Sequence, residues 1–209
     1  MEKPAKNRLL VVVAAVVVAA AALFLVLGRS GSPGDASAEA GFARDMAIHH
    51  AQAIDMSFTI RDKTESKDIR NLAYDIITTQ GAQRGMFYGW LQAWGLPQNG
   101  SQPAMTWMSH GAHAAAAATT GVMPGMASAA ELQKLKELTG KDAEVQFLQL
   151  MIRHHEGGVQ MAQGLLAASS ESEVVNMAQK IVAGQTSEIK LMTDMLRQRG
   201  AQPLPSILK

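Results

Sequence analysis

The pattern Met-x-x-His-His-x5-Met occurs twice in the 209-residue sequence, 105 residues apart. The first copy comprises Met46, His49, His50 and Met56, and the second copy comprises the matched residues Met151, His154, His155 and Met161. Ungapped alignment of residues 42–95 with residues 147–200 gives 11 identical positions out of 54. Because four of the six histidines in the chain fall at matched positions, we interpret the two segments as an internal duplication.

Each copy is predicted to form a helical hairpin. Apolar residues recur at helical spacing over four segments, residues 39–62 and 67–94 in the first copy and residues 142–168 and 173–199 in the second. Gly95 and Gly200 follow the last periodic residues, where helix ends favour a left-handed residue. Since one hairpin cannot bury its apolar stripe alone, the sequence predicts an all-α domain, a four-helix bundle with approximate internal two-fold symmetry.

The insert at residues 96–141 separates the two copies. Proline and glycine recur in its first part around a run of five alanines, as is typical of an irregular crossover. The segment from Ser128 to Glu131 has the form of a capping box and predicts a short helix to about Leu138. Two interpretations stay open for the rest, an alanine-rich loop without fixed structure or a source of additional soft side chains: Met105, Trp107, Met108, His110, His113, Met123 and Met126.

The N-terminal part of the chain predicts a membrane anchor. Residues 9–27 are uncharged and almost wholly apolar, long enough to cross a bilayer as a helix. Basic residues precede this run, so the positive-inside rule places residues 1–8 in the cytoplasm and the rest outside. We favour a single-pass signal anchor in the cell membrane over cleavage and secretion, because the run is long for a signal peptide. Residues 28–38 are then a flexible tether, and residues 39–209 form the helical domain.

Composition excludes several classes of protein. The chain has 19 basic and 18 acidic residues and no concentrated basic segment, so we predict no nucleic-acid partner. It contains no cysteine, which excludes disulfides and attachment as a bacterial lipoprotein.

The duplicated motif predicts a metal site. At 100° per residue, the two histidines and two methionines of each copy fall within about a third of the helix circumference. Such residues often serve only as core packing, but the repeated spacing favours metal binding. The predicted ligands are His49, His50, Met46, Met56, His154, His155, Met151 and Met161, supplemented by Met126 and Met192. Carboxylates that could orient the imidazoles by accepting their second N–H are Asp45, Glu156 and Glu188.

The ligand types indicate which metal such a site prefers. Imidazole together with thioether favours Cu(I), with Ag(I) as a mimic, whereas imidazole alone would suit Cu(II) or Zn(II). Copper is therefore the predicted metal, and zinc is the second choice. A di-iron site requires Glu-x-x-His pairs, and the sequence contains none.

The second copy also resembles a known family. Residues 151–162, Met-Ile-Arg-His-His-Glu-Gly-Gly-Val-Gln-Met-Ala, closely resemble the signature of the bacterial family called domain of unknown function 305. Residues 123–128 and 185–189 resemble its flanking motifs. The first copy departs from the pattern, with Ala51 and Gln83 where the second has Glu156 and Glu188. The resemblance implies a ferritin-like helical bundle in secreted or membrane-anchored proteins, some of them linked to copper binding and copper tolerance.

These observations predict an extracytoplasmic copper buffer, chaperone or resistance factor rather than an enzyme. One alternative is a metal-dependent hydrolase or redox enzyme in which His154 and His155 hold the metal and Glu156 is the general base. Another is a metal-free structural or interaction module. The predicted partners are a metal ion and the membrane, with a second copy of the chain or a copper-handling envelope protein as further candidates.

Overall fold

The computed structural model describes residues 12–19, 31–108 and 123–208. All regular secondary structure in these ranges is helical, which confirms the all-α prediction. The chain divides into two compact units, residues 1–33 and residues 34–209. Only residues 12–19 of the predicted anchor are described, and they are helical. Across the described ranges, no helix has the length and apolar character needed to cross a membrane.

The second unit contains two pairs of long helices. The described helices are α1 at Ala38–Arg61, α2 at Lys67–Ala93, a 3-10 helix at Thr106–Met108, α3 at Ala129–Glu137, α4 at Gly140–Ala168 and α5 at Ser172–Gln198. Each end of α5 lies 105 residues after the matching end of α2. The ends predicted for the four long helices agree with the structure to within two residues, because they follow strong local signals. His110 and His113 of the insert lie outside the described residues.

Local sequence signals fix several helix ends. The Ser37 hydroxyl oxygen accepts a hydrogen bond from the Ala40 backbone N–H at the start of α1. The predicted capping box of Ser128 and Glu131 is present at the start of α3, with both of its reciprocal hydrogen bonds. Gly95 and Gly200 have φ angles of 71° and 68° just after α2 and α5, as predicted for the residues that end these helices.

Helices α1 and α4 pack against each other at the centre of the domain and run antiparallel. The Ser169 hydroxyl, after the end of α4, donates to the Glu39 carboxylate in the first turn of α1. At the opposite end, the Thr64 hydroxyl donates to the Glu144 carboxylate in α4. Helix α2 packs on α1, and α5 packs on α4. That this arrangement is a ferritin-like four-helix bundle stays a prediction.

The interior contains two apolar clusters, which we call the first core and the second core. The first core joins the N-terminal part of α1 to the C-terminal part of α4, and its members include Phe42, Met46, Phe87, Leu91, Met161 and Ile181. The second core joins the C-terminal part of α1 to the N-terminal part of α4, and its members include Met56, Ile60, Ile76, Phe147, Met151 and Met192. Helices α2 and α5 each pass from one core to the other. Between the two cores, a layer of polar residues therefore crosses the middle of the domain.

Candidate metal centre

We call these central residues the polar layer. It consists of four pairs related by the duplication: His49 and His154, His50 and His155, Gln80 and Gln185, and Gln83 and Glu188. All four histidine side chains are fully buried, and the two glutamines of the third pair are almost fully buried. Only the last pair differs between the copies, an amide in α2 against a carboxylate in α5. The histidine motifs of α1 and α4 therefore contact each other in the polar layer.

The inner histidines stack at the contact between α1 and α4. The ring centroids of His49 and His154 are 3.7 Å apart, with an angle of 31° between the ring planes. The His154 Nε2–H donates to the His49 backbone carbonyl at 3.0 Å. The His49 Nε2–H instead donates to the Pro124 carbonyl of the crossover, also at 3.0 Å. Both rings are therefore held through Nε2 by backbone oxygens.

Each outer histidine forms a hydrogen bond with the second helix of its own hairpin. The His50 Nε2–H donates to Gln83 Oε1 at 2.7 Å, and the His155 Nε2–H donates to Glu188 Oε2 at the same distance. The His50 ring lies 5.7 Å from the ring of Phe87, a first-core residue. In α5, Met192 stands at the position that matches Phe87 and belongs to the second core. By helix geometry Met192 lies one turn beyond Glu188, as Phe87 lies one turn beyond Gln83.

The Nδ1 atoms of all four histidines are buried and have no hydrogen-bond partner. A neutral imidazole carries a single N–H, and here Nε2 donates it, so the lone pair is on Nδ1. Burial lowers the pKa of His49 to about 4 and that of His50 to about 3, and it lowers the pKa of His154 well below its usual value. These three rings are therefore neutral at physiological pH. Neutral imidazole with a free lone pair is the form that binds a metal ion.

The predicted methionine ligands do not converge on one point. Met46 and Met161 lie together in the first core, whereas Met56, Met151 and Met192 lie together in the second. Met46 is one helical turn before His50, and Met151 is one turn before His155. Met126, in the crossover, is half-buried against the first core. The structure thus divides the predicted methionine ligands between the two cores.

We define two half-sites by these residues. The first half-site consists of His50, Met46 and Met161. The second half-site consists of His155, Met151, Met56 and Met192. His49 and His154, which stack on each other, lie between them. Within the described residues, no group of three or more histidine, aspartate or glutamate side chains has an arrangement that could hold a metal ion. The donors present in each half-site are imidazole and thioether.

Two of the three predicted orienting carboxylates have other roles. Asp45 does not contact His49; its Oδ2 accepts hydrogen bonds from the Met105 backbone N–H at 2.7 Å and from Trp107 Nε1 at 2.8 Å. Desolvation raises the pKa of this buried carboxyl group. Asp45 therefore fixes the crossover rather than an imidazole, at a point where Met105 has a φ of 68°, in the left-handed region.

Glu156 likewise does not orient a histidine. Its carboxylate accepts hydrogen bonds from the Ser206 hydroxyl at 2.7 Å and from the Ile207 backbone N–H at 2.9 Å. Gln160, one turn further along α4, donates to the Ile207 carbonyl. Glu156 thus holds residues 201–208 against α4, and that carboxylate is engaged rather than free to act as a general base. Only Glu188 occupies the predicted position beside an imidazole.

Gln80 and Gln185 have unsatisfied side-chain amides. Both atoms of each amide are buried without a hydrogen-bond partner. The Gln185 amide fills the space beside Gly158, where a β-carbon would overlap with Gln185 Oε1. The small residue after the second histidine pair therefore accommodates this amide. Buried polar atoms without partners are rare in folded proteins, because leaving them unpaired costs free energy.

The crossover reaches the polar layer at a point that the sequence did not predict. The Pro124 carbonyl contacts His49 because α4 has glycine at position 157, where a β-carbon would overlap with that carbonyl. Gly125, with a φ of 76°, lies against the Arg153 backbone. Gln52 pairs with both the N–H and the carbonyl of Ala127. The sequence feature that could have indicated this contact is the pair of adjacent glycines at positions 157 and 158, where the first copy has Gln52 and Ala53.

Comparison with known proteins places the chain in a family. Residues 39–196 match the family described as Domain of unknown function (DUF305). The chain belongs to the DUF305 family. The resemblance of the second histidine motif is thereby confirmed, since the matched region contains both copies. No curated protein matches this chain.

Solved structures of DUF305 proteins share the fold. A Streptomyces coelicolor DUF305 protein, named as a candidate secreted protein, is 48% identical with a TM-score of 0.75, over 82% of this chain and 99% of that one. A Deinococcus radiodurans DUF305 fragment is 34% identical with a TM-score of 0.62, over 77% and 96%. CopM in its Cu(II)-bound form is 26% identical with a TM-score of 0.58, over 77% and 96%. CopM structures in Cu(I)-bound and Ag-bound forms also match.

Proposed function

We propose that this DUF305 protein binds Cu(I), or its mimic Ag(I), through the imidazole and thioether groups at its polar layer. The observation that carries the proposal is the set of four buried Nδ1 atoms without partners, each on a ring whose other nitrogen is already engaged. Leaving such atoms unpaired in the interior costs free energy. A bound cation would use these lone pairs.

The donor set fits a soft monovalent ion. Each outer histidine has a buried methionine one turn before it on its own helix and another in the same core on the facing helix. Thioether sulfur stabilises Cu(I) and Ag(I) and adds little for Zn(II). His50, Met46 and Met161 would hold an ion at the first half-site, and His155, Met151, Met56 and Met192 would hold one at the second. CopM, which has the same fold, has been solved with Cu(I), Cu(II) and silver.

The proposed role is that of a copper buffer or chaperone outside the cytoplasm. The apolar run at residues 9–27 would anchor the chain, and residues 28–38 would tether the domain at the membrane surface. The relative from Streptomyces coelicolor is named as a candidate secreted protein. A site with neutral thioether ligands has no proton to release from them when a metal ion binds. It would therefore keep its affinity in a mildly acidic envelope.

The first prediction tests this function with paired substitutions in α4. His154→Ala combined with His155→Ala should abolish Cu(I) binding at the second half-site, because it removes two of the free imidazole nitrogens. Competition of the full-length protein with a Cu(I) chelator measures the affinity. Melting curves with and without metal show whether Cu(I) still raises the melting temperature, as a ligand specific for the folded state must.

Two controls separate metal binding from packing. His155→Leu places an apolar side chain of similar size in the interior and should remove the part of the metal-dependent rise in melting temperature that comes from the second half-site, while retaining the helical circular dichroism signal. Met161→Ala should weaken Cu(I) binding but leave any Zn(II) binding nearly unchanged. Equal Cu(I) affinity in the wild type, the double variant and the leucine variant would show that these histidines only pack the interior.

A further inference from the structure

The two halves of the polar layer carry different charges. Gln83 accepts the hydrogen bond of His50, whereas the carboxylate of Glu188 accepts that of His155. The following residue also differs, Arg84 in α2 against Ile189 in α5. Arg84 Nε donates to the Ala47 carbonyl at 3.0 Å, which places the guanidinium against α1 in the turn that leads to His50. The first half-site thus faces a neutral amide and a cation, and the second faces a carboxylate.

This difference bears directly on a bound monovalent cation. Neutral imidazole and thioether ligands leave the positive charge of Cu(I) or Ag(I) uncompensated in the protein interior, where an unpaired charge is costly. A carboxylate that accepts the ligand ring's N–H offsets that charge and makes the imidazole a stronger donor. A guanidinium beside the ligand helix has the opposite effect. The carboxylate of Glu188 and the guanidinium of Arg84 therefore both favour cation binding at the second half-site over the first.

The residue one turn after the hydrogen-bond partner of each outer histidine also differs between the copies. Phe87 lies beside His50 with a ring-centroid distance of 5.7 Å, and the matched residue in α5 is the fully buried Met192. An aromatic ring offers a soft cation no thioether. The first core also contains methionines from outside α1 and α4, namely Met105, Met108, Met123 and Met177. The number of nearby methionines therefore does not rank the half-sites, and the ranking rests mainly on charge.

We infer that the half-sites are inequivalent, and that Cu(I) or Ag(I) fills the second half-site, at His155, before the first, at His50. This inference rests on the proposed function, because it presupposes that these groups bind a soft monovalent ion. Loss of a partner that orients a ligand typically lowers metal affinity by about 10- to 100-fold. The two dissociation constants should differ by about that factor.

The test uses Ag(I), which does not change oxidation state, and the full-length protein with its histidines labelled with ¹⁵N. At half an equivalent of Ag(I), the NMR signals of the His155 ring should shift while those of His50 stay in place; the His50 signals should shift as the second equivalent is added. Chelator competition on the same samples should give two affinities.

Exchange of the matched residues provides the controls. Glu188→Gln should weaken the tight site by about 10- to 100-fold and leave the weak site unchanged. Gln83→Glu should strengthen the weak site, and Arg84→Ile should do so independently. Glu188 is 27% exposed, so its replacement by the isosteric glutamine should be tolerated by the fold. Met192→Phe and Phe87→Met form a second reciprocal pair with the same expected directions.

The outcomes distinguish the two proposals. Two sites of equal affinity in the wild type, filled together, would overturn the inference and leave the proposed function intact. An unchanged tight affinity in Glu188→Gln, or filling of His50 first, would also overturn it. Absence of Ag(I) and Cu(I) binding in the wild type would overturn both. Sequential filling that is reversed by combining Glu188→Gln with Gln83→Glu would support both.

Discussion

The polar layer contains four fully buried histidines whose Nδ1 atoms have no hydrogen-bond partner, which is energetically unfavourable. Burial also lowers the pKa of His49 to about 4 and that of His50 to about 3. Each ring resists protonation because the charged form would be desolvated. In the unfolded chain the same rings titrate near 6.5. The folded protein therefore binds fewer protons than the unfolded chain across this interval.

Because of these buried histidines, we predict that the metal-free protein loses stability on acidification. Because the unfolded state takes up protons that the folded state excludes, the free energy of unfolding should fall as the pH drops from about 6.5 toward 4. Each such histidine contributes up to about 1.4 kcal/mol per pH unit. Urea unfolding at several pH values, with a chelator present, measures the slope.

A single substitution checks the source of that slope. His50→Gln removes one buried imidazole and should reduce the pH dependence, whatever it does to stability at neutral pH. A slope that is identical in the wild type and the variant would mean that other groups titrate in this interval.

The long helices could be predicted from sequence, whereas the crossover could not. Helical periodicity, Ser128 with Glu131, and the glycines at positions 95 and 200 are local signals, and the structure follows them closely. The contact of Pro124 with His49 depends on how two distant segments pack, which no local pattern encodes. Asp45 illustrates the same limit. Its position one turn before His49 predicted a bond to that ring, but tertiary packing gives the carboxylate two donors from the crossover.

Because the crossover packs closely on α4, we predict that one added methyl group at position 157 lowers the stability of the protein. Gly157→Ala should lower the free energy of unfolding by about 1–3 kcal/mol, because a β-carbon there overlaps with the Pro124 carbonyl and the backbone must shift. Gly85→Ala, also within a long helix, is the control, since nothing lies within 4 Å of the added carbon. That change should raise stability by up to about 1 kcal/mol through helix propensity.

Denaturant unfolding of both variants measures the difference. A Gly157→Ala variant as stable as the wild type would mean that the crossover does not dock closely on α4. The same variant should also perturb the ring signals of His49, whose Nε2–H donates to Pro124.

On the scale of the whole molecule, the domain consists of two hairpins that pack together through α1 and α4. The rings of His49 and His154 stack at this contact. Everything the sequence duplicates, from the helix ends to the outer histidines, recurs on both sides. The two unduplicated segments pack differently: the crossover contacts both α1 and α4, whereas the C-terminal segment forms hydrogen bonds with α4.

The remaining prediction concerns where the whole protein resides. A reporter enzyme fused after Lys209 should be active only outside the cytoplasm, and the fusion should remain in the membrane fraction, because residues 9–27 can span a bilayer. As a control, residues 28–209 placed behind a cleavable signal peptide should appear in the soluble fraction. Release of the natural protein into the soluble fraction after processing would instead support the secreted alternative.

The presence of both hairpins in one chain has a consequence for the outer histidines. Two identical hairpins associating as a homodimer must carry the same residue at every matched position, since the interface of such a dimer is self-complementary. The exchanges of Gln83 for Glu188 and of Phe87 for Met192 cannot arise in such a dimer. Within a single chain each hairpin has its own residues, so the partners of the two outer histidines can differ while the inner histidines stay identical.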